Sequence, residues 1–176
     1  LMTEPLNLLD PKHYEAVRRP AAEATPLPNW CYTSAGWYAL EVERVFMKVW
    51  NYVGHESRIP EPGDFFTVEI TGAPVIVIRG DDGEIRAFHN SCRHRGSRIA
   101  SGDGNCKALT CPYHTWTYGR DGALLATPLI EEDEHLWYAD LGLLPVRLER
   151  WAGFLFVNFD DTAAHLLEWL GDLPET

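Results

Sequence analysis

Apolar and polar residues recur with two different periods along this chain. Val42, Val45, Phe46, Val49 and Trp50 fall at helical spacing, with Glu41, Glu43, Arg44 and Lys48 between them. That places the apolar side chains on one stripe and predicts an amphipathic helix packed on a sheet. Upstream, Asp10 before Pro11 reads as a cap with proline at the first helical position, and Pro20 as a stop. A short helix over residues 11–18 is expected. Pro20, Pro26 and Pro28 mark the next stretch as an arm.

From Asn51 onward the apolar runs become short and are punctuated by turns. Residues 65–71, 74–79 and 84–89 read as strands, and Asp81-Asp82-Gly83 joins the last two as a hairpin turn would. Asp103-Gly104-Asn105 and Asp121-Gly122 repeat the turn signal. Residues 107–110 and 123–126 add two short strands, and 146–150 and 154–159 form a last pair around Trp151-Ala152-Gly153. Thr162 is expected to cap a helix over 163–170 that Gly171 ends. The architecture expected is a small, mainly β core with helical flanks.

Composition narrows the function classes. A chain of 176 residues fits one domain, or one domain with an appendage, and is long enough for a real core. Hydrophobic residues make up 45%, which excludes a disordered chain. Lys and Arg number 15 against 26 Asp and Glu, a net charge of -11. Such a surface repels phosphate backbones, so no nucleic-acid partner is expected. No apolar run approaches the roughly 20 residues that cross a bilayer, so no membrane partner is expected. The N-terminus has neither a basic nor an apolar leader region, so no secretory signal is expected. In a cytoplasmic setting the four cysteines suit metal binding better than a disulfide framework.

The candidate chemistry lies in two short segments. One reads Cys92-Arg93-His94-Arg95-Gly96 and the other Cys111-Pro112-Tyr113-His114, with 16 residues between His94 and Cys111. Each supplies one thiolate and one imidazole. Structural zinc usually takes like pairs from one loop. Mixed loops suit two unlike irons, with both cysteines on one and both histidines on the other. Cys106 and Cys111 have the first spacing of a plant-type [2Fe-2S] site, but position 114 is histidine, so that pattern fails. The four residues Cys92, His94, Cys111 and His114 therefore point to a Rieske-type [2Fe-2S] centre, a class with potentials of roughly -150 to +300 mV. A zinc-stabilised module is the alternative. Arg93, Arg95 and Gly96 read either as hydrogen-bond donors to the loop or as solvated arginines beside a turn glycine. Tyr113 and Trp116 read either as partners of a ligand or as core packing. Cys31 and Cys106 read as plain buried thiols.

These segments resemble the N-terminal Rieske domain of the alpha subunit of Rieske non-haem iron oxygenases. Cys92 to Gly96 is similar to that family's first cluster loop, and Cys111 to Tyr118 to the second. Gly104-Asn105, Asp121-Gly122, Pro128, 50–55, 62–64 and 153–158 also fit. The resemblance covers about residues 35–173, and it departs at Thr115, where glycine is common. It implies a fold of small antiparallel sheets with flanking helices. It divides the chain into an N-terminal helix and arm (1–34), a Rieske domain (35–160) and a C-terminal helix (161–176) leading to a catalytic domain that this chain lacks. Glu132 and His135 have no second histidine close by, so no mononuclear iron site is expected here. The implied activity is electron transfer from a ferredoxin or flavin reductase to a mononuclear Fe(II) that activates O2. The implied assembly is a homotrimer, with or without beta subunits. Arg95, Tyr113 and Trp116 become expected neighbours of the cluster. A free-standing Rieske ferredoxin is the second reading, and the arm and the two helices argue against it.

Overall fold

The computed structural model describes residues 7–128 and 138–175. Two compact units divide the chain, Leu1–Met47 and Lys48–Thr176.

In the first unit Asp10 accepts the Lys12 N–H at 3.0 Å and starts a 3-10 turn over Pro11–Tyr14. This is shorter than the helix expected to residue 18. A second 3-10 turn, Asn29–Tyr32, buries Trp30 edge-on to Trp37 at 5.6 Å. Helix α1 (Ala35–Glu41) is capped by Ser34, whose hydroxyl accepts the Trp37 N–H at 2.9 Å. Its last turn widens into a π-turn over Val42–Phe46. The expected amphipathic stripe is therefore only half right. Helical backbone starts earlier and stops before Val49 and Trp50. Trp50 is instead buried in the second unit, where its indole donates to the Ala164 carbonyl at 3.1 Å.

The second unit holds two antiparallel sheets. Strands β1 (Asn51–His55), β2 (Asp64–Ile70), β3 (Ala73–Arg79), β4 (Ile85–His89), β5 (Asp103–Asn105), β9 (Pro145–Trp151) and β10 (Phe154–Asn158) form the larger, in the order β1-β10-β9-β4-β3-β2-β5. Strands β6 (Leu109–Thr110), β7 (Thr117–Tyr118) and β8 (Leu124–Ala126) form the smaller. The hairpin at 81–83 is present, closed by Gly80 N–H to Glu84 C=O at 2.8 Å. The turn signal at 103–105 is strand β5, paired to β2 along an exposed edge.

Strand β3 is buried on both faces, which explains its unbroken apolar run. Val75 and Val77 join a core with Phe66, Ala87, Leu155 and Val157. Ile76 and Ile78 face the other way and join Phe88, Leu109, Tyr118 and the two loop cysteines, Cys92 and Cys111. One face of β3 is thus the floor of the candidate centre.

Helix α2 covers only Leu166–Leu170, against an expected start at 163. Thr162 does not cap it. Its hydroxyl donates to Asp160 at 2.6 Å, and the first free N–H of the helix, Leu166, is taken at 2.7 Å by the Glu149 carboxylate of β9. Among the described residues no helix is long and apolar enough to cross a membrane.

Candidate metal centre

Each cysteine segment is a loop held at both ends by the sheets. The first leaves β4 at His89. Asn90, 1% exposed, closes it: its carbonyl oxygen accepts the N–H groups of Ile99 and Ala100 at 3.0 and 3.1 Å, and its amide donates to Ala100 C=O at 2.8 Å. The second is the connection between β6 and β7.

The two loops repeat one backbone pattern. Gly96 N–H donates to Cys92 C=O at 2.8 Å, and Thr115 N–H donates to Cys111 C=O at 3.0 Å. Cys92 N–H donates to Ser97 C=O, and Cys111 N–H to Trp116 C=O, each at 2.8 Å. Gly96 and Thr115 both have positive φ, +70° and +58°. The loops differ in where the histidine sits: two residues after the cysteine in one, three in the other.

The four predicted donors differ in depth, the cysteines lying deeper than the histidines. Cys92 and Cys111 are buried in one apolar cluster. His94 and His114 are half-buried, with ring centroids 4.7 Å apart. Burial pushes the Cys111 thiol up, but donations from the Tyr113 and His114 N–H groups and from the Cys92 and Ser97 side chains outweigh it, so its pKa lies below the ordinary value. Burial, then His114 and Arg95, hold His94 below its ordinary pKa and favour the neutral imidazole.

Trp116 is buried and stacks flat on His94, centroids 4.9 Å apart at 6°. Its indole N–H is buried without a hydrogen-bond partner among the described residues. Tyr113 is 59% exposed and lies over His114 at 3.7 Å, so its ring is a lid on the imidazole rather than part of the core. Arg95 is exposed. Arg93 reaches the Asp140 carbonyl at 3.3 Å.

The residue that sequence reasoning missed is Tyr118. It is fully buried on β7, and its hydroxyl lies 3.2 Å from Cys92 Sγ while accepting the Arg93 N–H at 3.0 Å. Burial, then the bond to Cys92, raises its pKa and keeps the phenol protonated. Of the other cysteines, Cys31 is buried in the first unit, and Cys106 packs part-buried against the core that includes Cys92 and Cys111, its thiol pushed up by burial. Glu132 and His135 lie outside the described residues.

Comparisons with known proteins agree on one family. Residues 49–145 match the Rieske [2Fe-2S] domain. The alpha subunit of biphenyl 2,3-dioxygenase from Rhodococcus jostii (strain RHA1) is 43% identical over 143 residues, which cover 80% of this chain and 31% of that subunit. The carnitine monooxygenase oxygenase subunit from Acinetobacter baumannii is 38% identical over 153 residues, covering 86% of this chain and 41% of that one. Among solved structures, the quaternary ammonium Rieske monooxygenase CntA superposes with a TM-score of 0.81 at 35% identity, over 86% of this chain and 45% of that chain. The chain spans less than half the length of these relatives. It belongs to the Rieske [2Fe-2S] domain family.

Proposed function

We propose that Cys92, His94, Cys111 and His114 hold the [2Fe-2S] cluster and that the chain is the electron-transfer part of an oxygenase alpha subunit. The observation that carries this reading is that two loops of the same backbone pattern each carry one buried thiol and one half-buried imidazole. The donor set fits the group. His94 Nδ1 is buried with no hydrogen-bond partner among the described residues, as a nitrogen meant for a metal would be. Among the described residues no three or more His, Cys, Asp or Glu are grouped to hold a single metal ion.

When bound, such a cluster supplies reversible one-electron transfer at a potential set by its neutral imidazole ligands. The chain's own residues arrange for it. Tyr118 donates to one thiolate, and the Tyr113 and His114 N–H groups and Ser97 donate to the other. The apolar floor of Ile76, Ile78 and Leu109 keeps water from the sulfurs. The half-buried imidazoles give the route in and out.

The parent protein, on this reading, takes electrons from a ferredoxin or flavin reductase and delivers them to a mononuclear non-haem iron in a catalytic part outside this chain. Residues 1–34 are its arm, 35–160 the Rieske domain and 161–176 the lead toward that part. The solved CntA work describes inter-subunit electron transfer in that protein. The same route, across a homotrimer with or without beta subunits, is proposed here in a cytoplasmic setting.

Anaerobic purification with iron and acid-labile sulfide counts tests the reading. Two irons and two sulfides per chain, in a brown protein, are expected. Zinc without sulfide would overturn it.

A further inference from the structure

The second cysteine loop carries a threonine where its geometry favours glycine. The residue four after each cysteine closes the turn with its N–H in the left-handed region. Glycine at Gly96 takes that conformation freely, but a β-branched residue at Thr115 does not. Thr115 is exposed, so packing does not impose its backbone.

A chain of hydroxyls does. Thr110 and Thr117 face each other across β6 and β7, with their Oγ1 atoms 3.3 Å apart. Thr117 Oγ1 donates to the Thr115 carbonyl at 3.0 Å, and Thr115 Oγ1 donates to the His114 carbonyl at 2.7 Å. The chain therefore runs from the hairpin to the backbone of His114. In the first loop Arg95 separates Gly96 from His94. In the second, Thr115 follows His114 directly, so its φ sets the direction of the His114 peptide.

We propose that Thr115 is a positioning residue for His114, fixing that imidazole through the hydroxyl chain Thr110, Thr117, Thr115. This rests on the reading that His114 is a cluster ligand. A glycine here would relieve strain but leave the histidine on a loose hinge. The threonine gives up stability and holds the ring still.

The test uses cluster-loaded protein with Thr115→Gly, Thr115→Ser and Thr117→Ala. The readouts are thermal unfolding, the EPR g-values of the reduced state and the midpoint potential. Thr115→Gly is expected to unfold no earlier than the parent, yet to show shifted and broadened g-values and a shifted potential. Thr115→Ser, which keeps the hydroxyl, is expected to retain the parent spectrum, and Thr117→Ala to move in the same direction as Thr115→Gly. The parent spectrum and potential in Thr115→Gly would overturn the proposal. So would a Thr115→Ser spectrum matching that of Thr115→Gly, or earlier unfolding of Thr115→Gly. A parent protein without iron and sulfide would overturn the ligand assignment itself, and this inference with it.

Discussion

The Tyr118 hydroxyl lies 3.2 Å from Cys92 Sγ, although Cys92 sits in the first cysteine loop and Tyr118 on β7, the strand that follows the second. This contact ties the β7 end of the second loop to the thiol of the first. On the proposed ligand assignment, the hydroxyl would donate to a cluster thiolate and favour the reduced state. Phe at this position keeps the ring and removes the bond. If that bond is worth about 1 kcal/mol more to the reduced form, the midpoint potential of Tyr118→Phe falls by roughly 40 mV, since about 59 mV is tenfold for one electron. Protein-film voltammetry checks it; a potential equal to or above the parent's would show that the hydroxyl does not act on the cluster.

Asn90 staples the first loop with three hydrogen bonds while almost fully buried. Asn90→Ala leaves two N–H donors and a carbonyl unpaired beside a small cavity. The expected loss is about 2–4 kcal/mol in urea unfolding of the apo chain. A loss below about 0.5 kcal/mol, typical of a plain surface site, would mean that the loop does not depend on this side chain.

Gly83 and Gly122 separate backbone strain from steric overlap. Both are left-handed, with φ of +81° and +85°. A Cβ at Gly83 meets nothing within 4 Å, whereas one at Gly122 comes within 2.4 Å of the Phe88 ring in the core. Gly83→Ala should cost about 1 kcal/mol from strain alone. Gly122→Ala should cost a further 1–3 kcal/mol or so from overpacking. Equal losses in denaturant titrations would contradict the close approach of Gly122 to Phe88.

Acid stability should depend on Asp160. The Thr162 hydroxyl and N–H, then Lys48, lower its pKa to about 2. A carboxylate whose folded pKa is depressed stabilises the fold above its unfolded value, near about 3.9, and that stability is lost as pH falls toward the folded value. The urea midpoint of the parent should therefore drop between about pH 4 and pH 2. Asp160→Asn should flatten the part of this drop that Asp160 contributes. An unchanged slope in Asp160→Asn would show that the group does not couple to folding.

Much of this arrangement is legible in the sequence because short-range spacing carries it. The cysteine and histidine positions lie within each loop, and the strands of the larger sheet follow from apolar runs and turn residues, to within a residue or two for β2, β3, β4, β9 and β10. What escapes is set by tertiary partners. Tyr118 lies 26 residues from Cys92, and only the β6–β7 register brings its hydroxyl there. Strand β7 itself has two residues, too few for any alternation to show. Helix α2 starts late because Glu149, from a strand, takes its first N–H. Trp50 completes a helical pattern in the sequence, yet its hydrogen bond to Ala164 belongs to the second unit.

The donor assignment is tested most directly by pulsed EPR nitrogen couplings in the reduced protein labelled with 15N-histidine. Two distinct histidine nitrogen couplings are expected from the parent, and one from His114→Cys. A parent spectrum without histidine nitrogen, or one that His114→Cys leaves unchanged, would contradict the assignment of Cys92, His94, Cys111 and His114 as the ligands.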